Sequence, residues 1–363
     1  MATIYDVART AGVSPKTVSR VINGDGAVKA STKQKVQKAI ADLGYVPSTA
    51  ARLMRSNKSG LVGLITGAIS LSPDRSEASG LPDLFIVQGI QKAMEHSGKT
   101  LLIADTGGHS DRVPKLIRTF EEHRVEGIIY VADYHRRVEL PTVSDATKLV
   151  LANCYDDAGT PCILPHDFQG QYALVRSLIA KGHSRIGYIT LTPGHEATTL
   201  RTAGYRSALD EAGIAFDPAL LMPAGVDASD GAAEEQLLWD AIDRLLSLDR
   251  PPTVICFGND RMAMRAYGIL RSRGLSLPDD ISVAGYDNYK LITQTLYPTL
   301  TSAELPYAAI GIRATELLLS MIEGNAPPTK DPILVSGPVV HGNSVKDLPT
   351  PITHLSSIGR TTK

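Results

Sequence analysis

The sequence predicts an α/β protein in which a small, basic helical unit precedes two similar α/β lobes arranged in tandem. Helical periodicity and positive charge are concentrated in the first 60 residues. Continuous apolar strands then alternate with helices between about residues 61 and 151, and the same alternation restarts near residue 168. Buried strands separated by helices are typical of parallel sheets covered on both faces. A chain of 363 residues has the length of two or three average domains, which agrees with this class.

Two short helices are predicted between Thr3 and Asn23. Apolar residues fall on one face of the first helix at positions 4, 7, 8 and 11, and on one face of the second at positions 18, 21 and 22. Gly12 ends the first helix, Ser14 is a natural N-cap for the second, and Pro15 occupies its first position. Two short helices joined by a tight, glycine-containing turn form a helix-turn-helix.

The second helix is predicted to point four polar side chains outward, those of Lys16, Thr17, Ser19 and Arg20. Their donors suit the floor of a DNA major groove or a phosphate group. Taken alone, the pattern also fits an ordinary helical hairpin whose polar residues face water, because short helix pairs are common.

A third helix and a connecting segment follow. The third helix is predicted over about 32–43, with apolar residues at 36, 39, 40 and 43 on one face, and Gly44 terminates it. Tyr45, Val46 and Pro47 lead out of this helix. Residues 48–55 are rich in alanine and are predicted to form a small helix between two domains.

Residues 3–58 resemble the headpiece of the LacI/GalR family of transcription regulators. The shared features are the helix-turn-helix ending in Thr-Val-Ser-Arg-Val, the Leu-Gly-Tyr-x-Pro turn and the hinge helix after it. The resemblance covers nearly all of the chain. It implies a helix-turn-helix DNA-binding domain over 1–47, a hinge helix and linker over 48–59, an effector-binding and dimerisation domain over 60–345, and a C-terminal tail over 346–363. The effector-binding domain would be a two-lobed, periplasmic-binding-protein-like clamshell of parallel sheets.

The resemblance also implies which residues contact DNA. Lys16, Thr17 and Arg20 would read base edges in the major groove, with Pro15 setting the start of the helix. Further residues would position the DNA backbone or lie in the hinge at the minor groove, namely Tyr5, Ser14, Ser19, Asn23, Ala51 and Met54. Met54 stands where the family usually has a leucine that wedges into the minor groove.

The distribution of charge agrees with a DNA-binding headpiece. Residues 1–60 contain ten lysines and arginines against three aspartates, a net charge of +7, and the remainder of the chain carries −8. The total of −1 hides this asymmetry. A basic unit on an acidic body is the expected pattern for one domain that meets phosphates beside another that does not.

Other classes of protein are disfavoured. Cys154, Cys162 and Cys256 have neither metal-type spacing nor even pairing, so we expect them to pack in a reducing cytoplasm. An export signal and an apolar run of membrane-spanning length are both lacking, which disfavours a transport receptor and a membrane partner. No nucleophile elbow, phosphate loop or metal cluster indicates an enzyme or a cofactor.

Tandem α/β lobes predict a clamshell with its ligand in the cleft, at the carboxyl ends of the strands. First-lobe strands are predicted near 61–65, 101–104, 125–131 and 149–151, with helices near 84–96 and 112–123. Second-lobe strands are predicted near 185–189, 220–222, 254–257 and 281–286, with helices near 168–181, 199–212, 232–247 and 260–273. Because the family's chain crosses between its lobes three times, the resemblance places helix 307–323 in the first lobe and strand 333–340 in the second.

Three polar residues match positions at which members of the family hydrogen-bond an effector: Arg201, Asn259 and Asp287. A guanidinium, an amide and a carboxylate can together grip adjacent hydroxyls of a sugar. Alternatives remain open. Asn259 and the neighbouring Asp260 fit helix capping, Arg201 fits a surface salt bridge, and Asp287 fits a turn.

Phe85 and Tyr307 match positions where the family often places an aromatic ring against the ligand, although packing in the core is the alternative. Asp227, in the loop after strand 220–222, is a further effector-binding candidate. The chain has five Phe and one Trp, and Trp239 falls in a helix, so few stacking aromatics are expected around the cleft. This favours a mono- or disaccharide over a purine.

The resemblance implies a dimeric repressor of a palindromic operator, with a sugar acting as inducer. Effector binding would change the angle between the lobes, separate the hinge helices and weaken DNA binding. The tail beyond Val345 has no heptad repeat, so a homodimer is expected instead of a tetramer. A corepressor-dependent repressor or an activator of the same family remains open, because motifs do not encode the sign of the response.

Overall fold

A computed structural model describes residues 2–22, 24, 28–46, 58–69, 81–224, 231–325 and 331–349. These residues form a three-helix headpiece and two α/β lobes. Within these ranges, the helices are too short or too polar to cross a membrane.

The headpiece contains three helices: Ile4–Ala11 (α1), Pro15–Ile22 (α2) and Ala30–Leu43 (α3). Thr3 and Asp6 form a capping box at the start of α1, and Gly12 ends this helix in the left-handed conformation at φ 65°. The helices meet in a core of small aliphatic side chains: Val7, Ala8, Val18, Val21, Val36 and Ala39. Both predicted short helices and the predicted turn between them are confirmed.

The first lobe begins with alternating strands and helices. These are Leu61–Thr66 (β1), Leu81–Met94 (α4), Thr100–Asp105 (β2), Val113–Glu122 (α5), Gly127–Arg137 (β3), Lys148–Tyr155 (β4) and Cys162–Pro165 (β5). The strands are parallel, and the apolar residues of β1 and β4 are almost all buried on both faces, as continuous apolar runs predict, whereas the edge strand β2 is only partly covered. The strand β5, which has only four residues, was not predicted.

The second lobe repeats the pattern. Its elements are Asp167–Ala180 (α6), Ile186–Thr190 (β6), Glu196–Glu211 (α7), Leu221–Pro223 (β7), Gly231–Leu246 (α8), Val254–Phe257 (β8), Asp260–Ser272 (α9), Ser282–Asp287 (β9), Lys290–Thr293 (α10) and Thr301–Glu304 (β10). Strands β6 to β10 are parallel. The four-residue strand β10 was not predicted.

The last three elements complete both lobes: Tyr307–Glu323 (α11), Ile333–Val335 (β11) and Val339–Val340 (β12). The sheet orders are β11-β5-β4-β3-β1-β2 in the first lobe and β12-β10-β9-β8-β6-β7 in the second. Helix α11 packs on α4 and on the first sheet, so the chain crosses between the lobes three times, as predicted. Gly89 of α4 and Gly311 of α11 allow the two backbones to touch, because a Cβ at either position would lie 2.1 Å from a carbonyl oxygen of the other helix.

The predicted single strand over 333–340 is wrong. Its first part, β11, pairs with β5 in the first lobe, and its second part, β12, pairs antiparallel with β10 in the second. Gly337 and Pro338 separate the two parts. A Cβ on Gly337 would lie 2.3 Å from the Glu304 carbonyl oxygen, and Pro338 has no N–H to continue a ladder.

Candidate functional site

The exposed face of α2 carries the predicted DNA-reading side chains. Lys16 and Arg20 are exposed, whereas Pro15 and Thr17 are half-buried. The Ser14 hydroxyl accepts a hydrogen bond from the Thr17 backbone N–H at 3.2 Å, so Ser14 caps α2 as predicted. Tyr5 on α1 is 69% exposed. These residues supply two cations and a phenol on the headpiece surface.

Ser19 does not face outward as predicted; its side chain is buried, with only 6% exposure. It lies about 100° around the helix from Val18. Both α1 and α3 contact α2 and cover a wider arc of it than the valine stripe alone. A direct contact of Ser19 with DNA is therefore not supported by this structure.

Four predicted site residues lie outside the described residues. Asn23, Ala51 and Met54 belong to the predicted DNA interface, and Asp227 belongs to the predicted effector site. Their roles stay predictions.

A cavity of about 150 Å³ lies between the two lobes. Its walls come from the carboxyl ends of parallel strands in both sheets, where the sequence placed the ligand. The residues lining it are Asp133, Tyr134, His135, Asn153, Pro165, Asp167, Leu191, His195, Ala197, Arg201, Asn259, Asp287, Leu305 and Tyr307. Four of the six predicted effector-binding residues, Arg201, Asn259, Asp287 and Tyr307, are among them.

Arg201, on α7, is the central cation of the cavity, and it is buried with 4% exposure. Its Nε donates to Asp167 Oδ1 at 2.7 Å, and its Nη1 donates to the Gly258 carbonyl oxygen at 2.7 Å. The guanidinium carbon lies 3.7 Å from the centre of the Tyr286 ring. Burial opposes the charge, but the Asp167 carboxylate raises the pKa of Arg201 above its usual range. The predicted alternative, a surface salt bridge, is wrong, since the pair is buried.

Asn259 both caps a helix and lines the cavity. Its Oδ1 accepts from the Met262 backbone N–H at 2.8 Å at the start of α9. Asp260 follows it but does not cap. One Asp260 oxygen accepts from the Ser302 hydroxyl and the other from the Tyr289 backbone N–H, both at 2.7 Å. Asp260 therefore ties α9 to β10 and to the loop after β9.

Burial raises the pKa of Asp260 to about 7, although its hydrogen bonds and the charge of Arg201 lower it. In the unfolded chain this carboxyl titrates near 4. Its contribution to the free energy of unfolding is therefore fully present below pH 4 and is lost as the pH rises towards 7. Between pH 4.5 and pH 7.5 the wild type should lose roughly 3 kcal/mol of its free energy of unfolding through this carboxyl, and Asp260→Asn should not. Urea unfolding at the two pH values measures the difference. Parallel pH dependences of the two proteins would contradict this assignment.

Asp287 ends β9 in a strained conformation. Its φ is 113°, and the following Asn288 also has a positive φ of 52°. Hydrogen bonds hold the loop in place, from Asn288 N–H to the Ser302 hydroxyl at 3.0 Å and from Asn288 Nδ2 to Glu304 at 2.9 Å. Strain of this kind is often found at functional sites.

The side chain of Asp287 faces the cavity, and within the described part of the chain its carboxyl has no hydrogen-bond partner. Burial raises its pKa well above the usual value, and nearby Asp260 raises it further, whereas Arg201 lowers it. Such a partly buried acceptor would be satisfied by a hydroxyl or amine of a ligand.

The two predicted aromatic contacts differ. Tyr307 starts α11, lines the cavity and packs against the cores of both lobes. Phe85 is not among the described lining residues; it is 37% exposed, and its ring centre lies 6.0 Å from that of Tyr289. Its place near the start of α4 carries it to the cleft edge instead of the cavity wall.

Several lining residues were not predicted from the sequence, among them Asp133, Tyr134 and His135 at the end of β3, and His195. The predicted strand stopped at 131, but β3 continues to Arg137. Polar residues directly after a buried strand were the available signal. The expectation of few aromatic rings around the cleft is wrong, because two tyrosines and two histidines line the cavity.

A basic helix-turn-helix headpiece joined to a two-lobed cleft with a buried Arg201 defines a DNA-binding regulator with a small-molecule-binding domain. The comparisons with known proteins agree. Bacterial regulatory proteins of the lacI family match residues 3–48, and a periplasmic binding protein-like domain matches residues 175–345.

Curated relatives cover almost the whole chain. The HTH-type transcriptional repressor PurR of Vibrio atlanticus is 32% identical over 89% of this chain and 92% of its own length. The ribose operon repressor of Haemophilus influenzae is 31% identical with the same coverage. Among solved structures, a putative LacI-family regulator from Rhizobium etli is 33% identical, with a TM-score of 0.68, over 80% of this chain and all of its own. This protein belongs to the LacI family of bacterial regulatory proteins and is a DNA-binding transcriptional repressor whose second domain binds a small-molecule effector.

Proposed function

We propose that this protein is a homodimeric repressor of a palindromic operator that is released when an uncharged sugar of monosaccharide size binds between the lobes. The observation that carries the proposal is the pair of Arg201 and Asp287 in the cleft. The guanidinium is fixed by two hydrogen bonds, and the nearby carboxyl has no hydrogen-bond partner among the described residues. A donor beside an acceptor suits adjacent hydroxyl groups.

The charges of the cavity support an uncharged ligand. Asp167 is paired with Arg201 and Asp133 is paired with Arg136, so the charge of Arg201 is already balanced in the cavity. An anionic ligand, such as a sugar acid or a sugar phosphate, would compete with the Asp167 carboxylate for Arg201, whereas burial favours the neutral form of Asp287. The volume of about 150 Å³ lies below the ~300 Å³ at which sites for drug-sized ligands begin, which supports a monosaccharide over a disaccharide.

A planar base is the second candidate, and one observation favours it. Tyr134 and His195 are stacked at the edge of the cavity, with ring centres 5.0 Å apart and planes 18° apart. Such a pair offers a flat aromatic surface to a ligand. The name of the Haemophilus influenzae relative, a ribose operon repressor, favours the sugar, whereas the Vibrio atlanticus relative, PurR, favours the base.

The first experiment is fluorescence anisotropy with a library of labelled palindromic operators, alone and with monosaccharides, disaccharides and purine bases. Release of the operator by one neutral monosaccharide would support the proposal. Tightening of the complex by a purine would replace it with the second candidate. Asp287→Asn is the matched variant, because it keeps the headpiece and the fold but removes the carboxylate; we expect normal operator binding and at least tenfold weaker release. No operator binding at low salt would contradict the DNA-binding part.

A homodimer is supported by exposed apolar side chains on the second lobe. Met264 on α9, Leu291 on α10 and Tyr297 after α10 are 41%, 70% and 84% exposed. The helices α9 and α10 contact each other, and Tyr297 follows α10 by four residues, so the three residues belong to neighbouring segments of the lobe. An exposed apolar surface of this kind is typical of an interface between subunits.

Sedimentation velocity should therefore show a dimer, and Leu291→Glu should shift it to a monomer by placing charge in the apolar contact. Lys290→Glu, which changes an exposed neighbour, is the control and should leave the dimer intact. A dimer that persists in Leu291→Glu would move the interface elsewhere.

A further inference from the structure

A bulge in the first sheet carries three side chains towards the second lobe. The pairing of β3 with β4 shifts register between Val131 and Arg136, so residues 132–135 lie opposite Asn153 alone. Asn153 is buried with a φ of 61°, and its Nδ2 donates to the Ala132 carbonyl oxygen at 3.2 Å. Bulges next to binding sites re-aim side chains, and after this one β3 pairs with β4 again at Arg136 and Arg137.

His135 of this bulge is hydrogen-bonded to the other lobe. Its Nδ1 lies 2.9 Å from Asp167 Oδ2, and both side chains are buried. Burial alone would raise the pKa of Asp167, but the charge of Arg201 and the hydrogen bond to His135 hold it below the usual value. The carboxyl is therefore ionised, which makes it an acceptor, and Nδ1 of His135 must be the donor.

The same carboxylate orients Arg201. Its second oxygen, Oδ1, accepts from Arg201 Nε at 2.7 Å. A hydrogen-bonded chain thus runs from His135 of the first lobe through Asp167 to the guanidinium on the second lobe. Because all three side chains are buried, each bond is shielded from water and fixes its neighbour firmly.

We propose that His135 is a positioning residue that, through Asp167, holds the guanidinium of Arg201 in the orientation that meets the ligand. Closing the lobes then also orients Arg201, because opening the cleft separates His135 from Asp167. The inference rests on the proposed function only in taking Arg201 as a ligand contact.

Two other contacts join the lobes at the same edge and provide a control. Tyr134 stacks on His195, and the Tyr155 hydroxyl donates to Glu196 at 3.3 Å. Within the described residues, the Tyr155 hydroxyl is hydrogen-bonded to Glu196 and not to Asp167. Tyr155→Phe therefore removes a contact between the lobes but leaves the chain from His135 to Arg201 intact.

The test measures the Arg201 side chain directly in the ligand-free, full-length protein. The Nε–H signal of Arg201 is observed by NMR after ¹⁵N-arginine labelling and is assigned by its loss in Arg201→Lys. In His135→Ala we expect exchange of this proton with water to be about tenfold faster or more, because the carboxylate loses one of its two anchors. His135→Asn, which restores a donor close to the backbone, should return the exchange to within about threefold of the wild type.

Unchanged exchange in His135→Ala would overturn the proposal, and so would an equal increase in Tyr155→Phe, since any weakening between the lobes would then have the same effect. Should His135→Ala fail to fold, as judged by circular dichroism, His135→Leu fills the space without a donor and takes its place. Because no sugar or operator is added, this test can fail while the proposed effector response stands, and the reverse.

Discussion

Arg20→Ala is expected to weaken operator binding by the dimer roughly 30-fold to 10⁴-fold, because each base-reading arginine is worth about 1–3 kcal/mol and both protomers lose one. Arg20 is exposed on α2, the second helix of the helix-turn-helix, and its forked guanidinium suits the two acceptors on the edge of a guanine. The measurement is the Kd for a labelled palindrome at fixed salt. The loss should be smaller for palindromes altered at the base pair that Arg20 reads.

Lys38→Ala is the matched control. Lys38 is also an exposed cation of the headpiece, but it lies on α3 and pairs with Asp42 at 2.7 Å. Its removal costs the same formal charge without touching α2, so only a small, sequence-independent loss is expected. Equal losses in the two variants would show that Arg20 contributes charge alone, and base reading by this residue would then be wrong.

The headpiece was predicted closely from the sequence because its signals are local. Gly12, which ends α1, and Ser14, which caps α2, lie at fixed offsets from the apolar positions of these eight-residue helices. The alternation of long apolar strands with helices likewise fixed the class of the lobes. Two strands of four residues, β5 and β10, were missed, and the short strands β11 and β12 were predicted as one, since runs of this length are too short to show a period.

The candidate site likewise contains residues that local motifs predicted and residues that depend on contacts between distant parts of the chain. Arg201, Asn259 and Asp287 were found because they stand in motifs of a resembling family, and the structure places all three around one cavity. The pairing of His135 with Asp167 could not be found in this way. It joins residues 32 positions apart across two lobes, through a bulge that a strand pattern does not contain. Ser19 was misplaced for a related reason, because the width of the buried arc on α2 depends on two helices elsewhere in the chain.

Arg201→Met is expected to separate the two roles of this residue. Methionine fills much of the space but leaves Asp167 without its main counter-charge, and His135 as its remaining partner among those described. Removing one member of a buried ion pair typically costs about 3–5 kcal/mol, because an uncompensated charge stays buried. Urea unfolding should show a loss of that size, and the proposed sugar should no longer release the operator.

The double variant Arg201→Met with Asp167→Asn decides between the roles. With both charges gone, the burial penalty disappears, so most of the lost free energy of unfolding should return. The response to the sugar should not return, because the donor beside Asp287 is still missing. If stability and response recover together, Arg201 acts only by supporting the fold; recovery of stability alone assigns the guanidinium to the ligand.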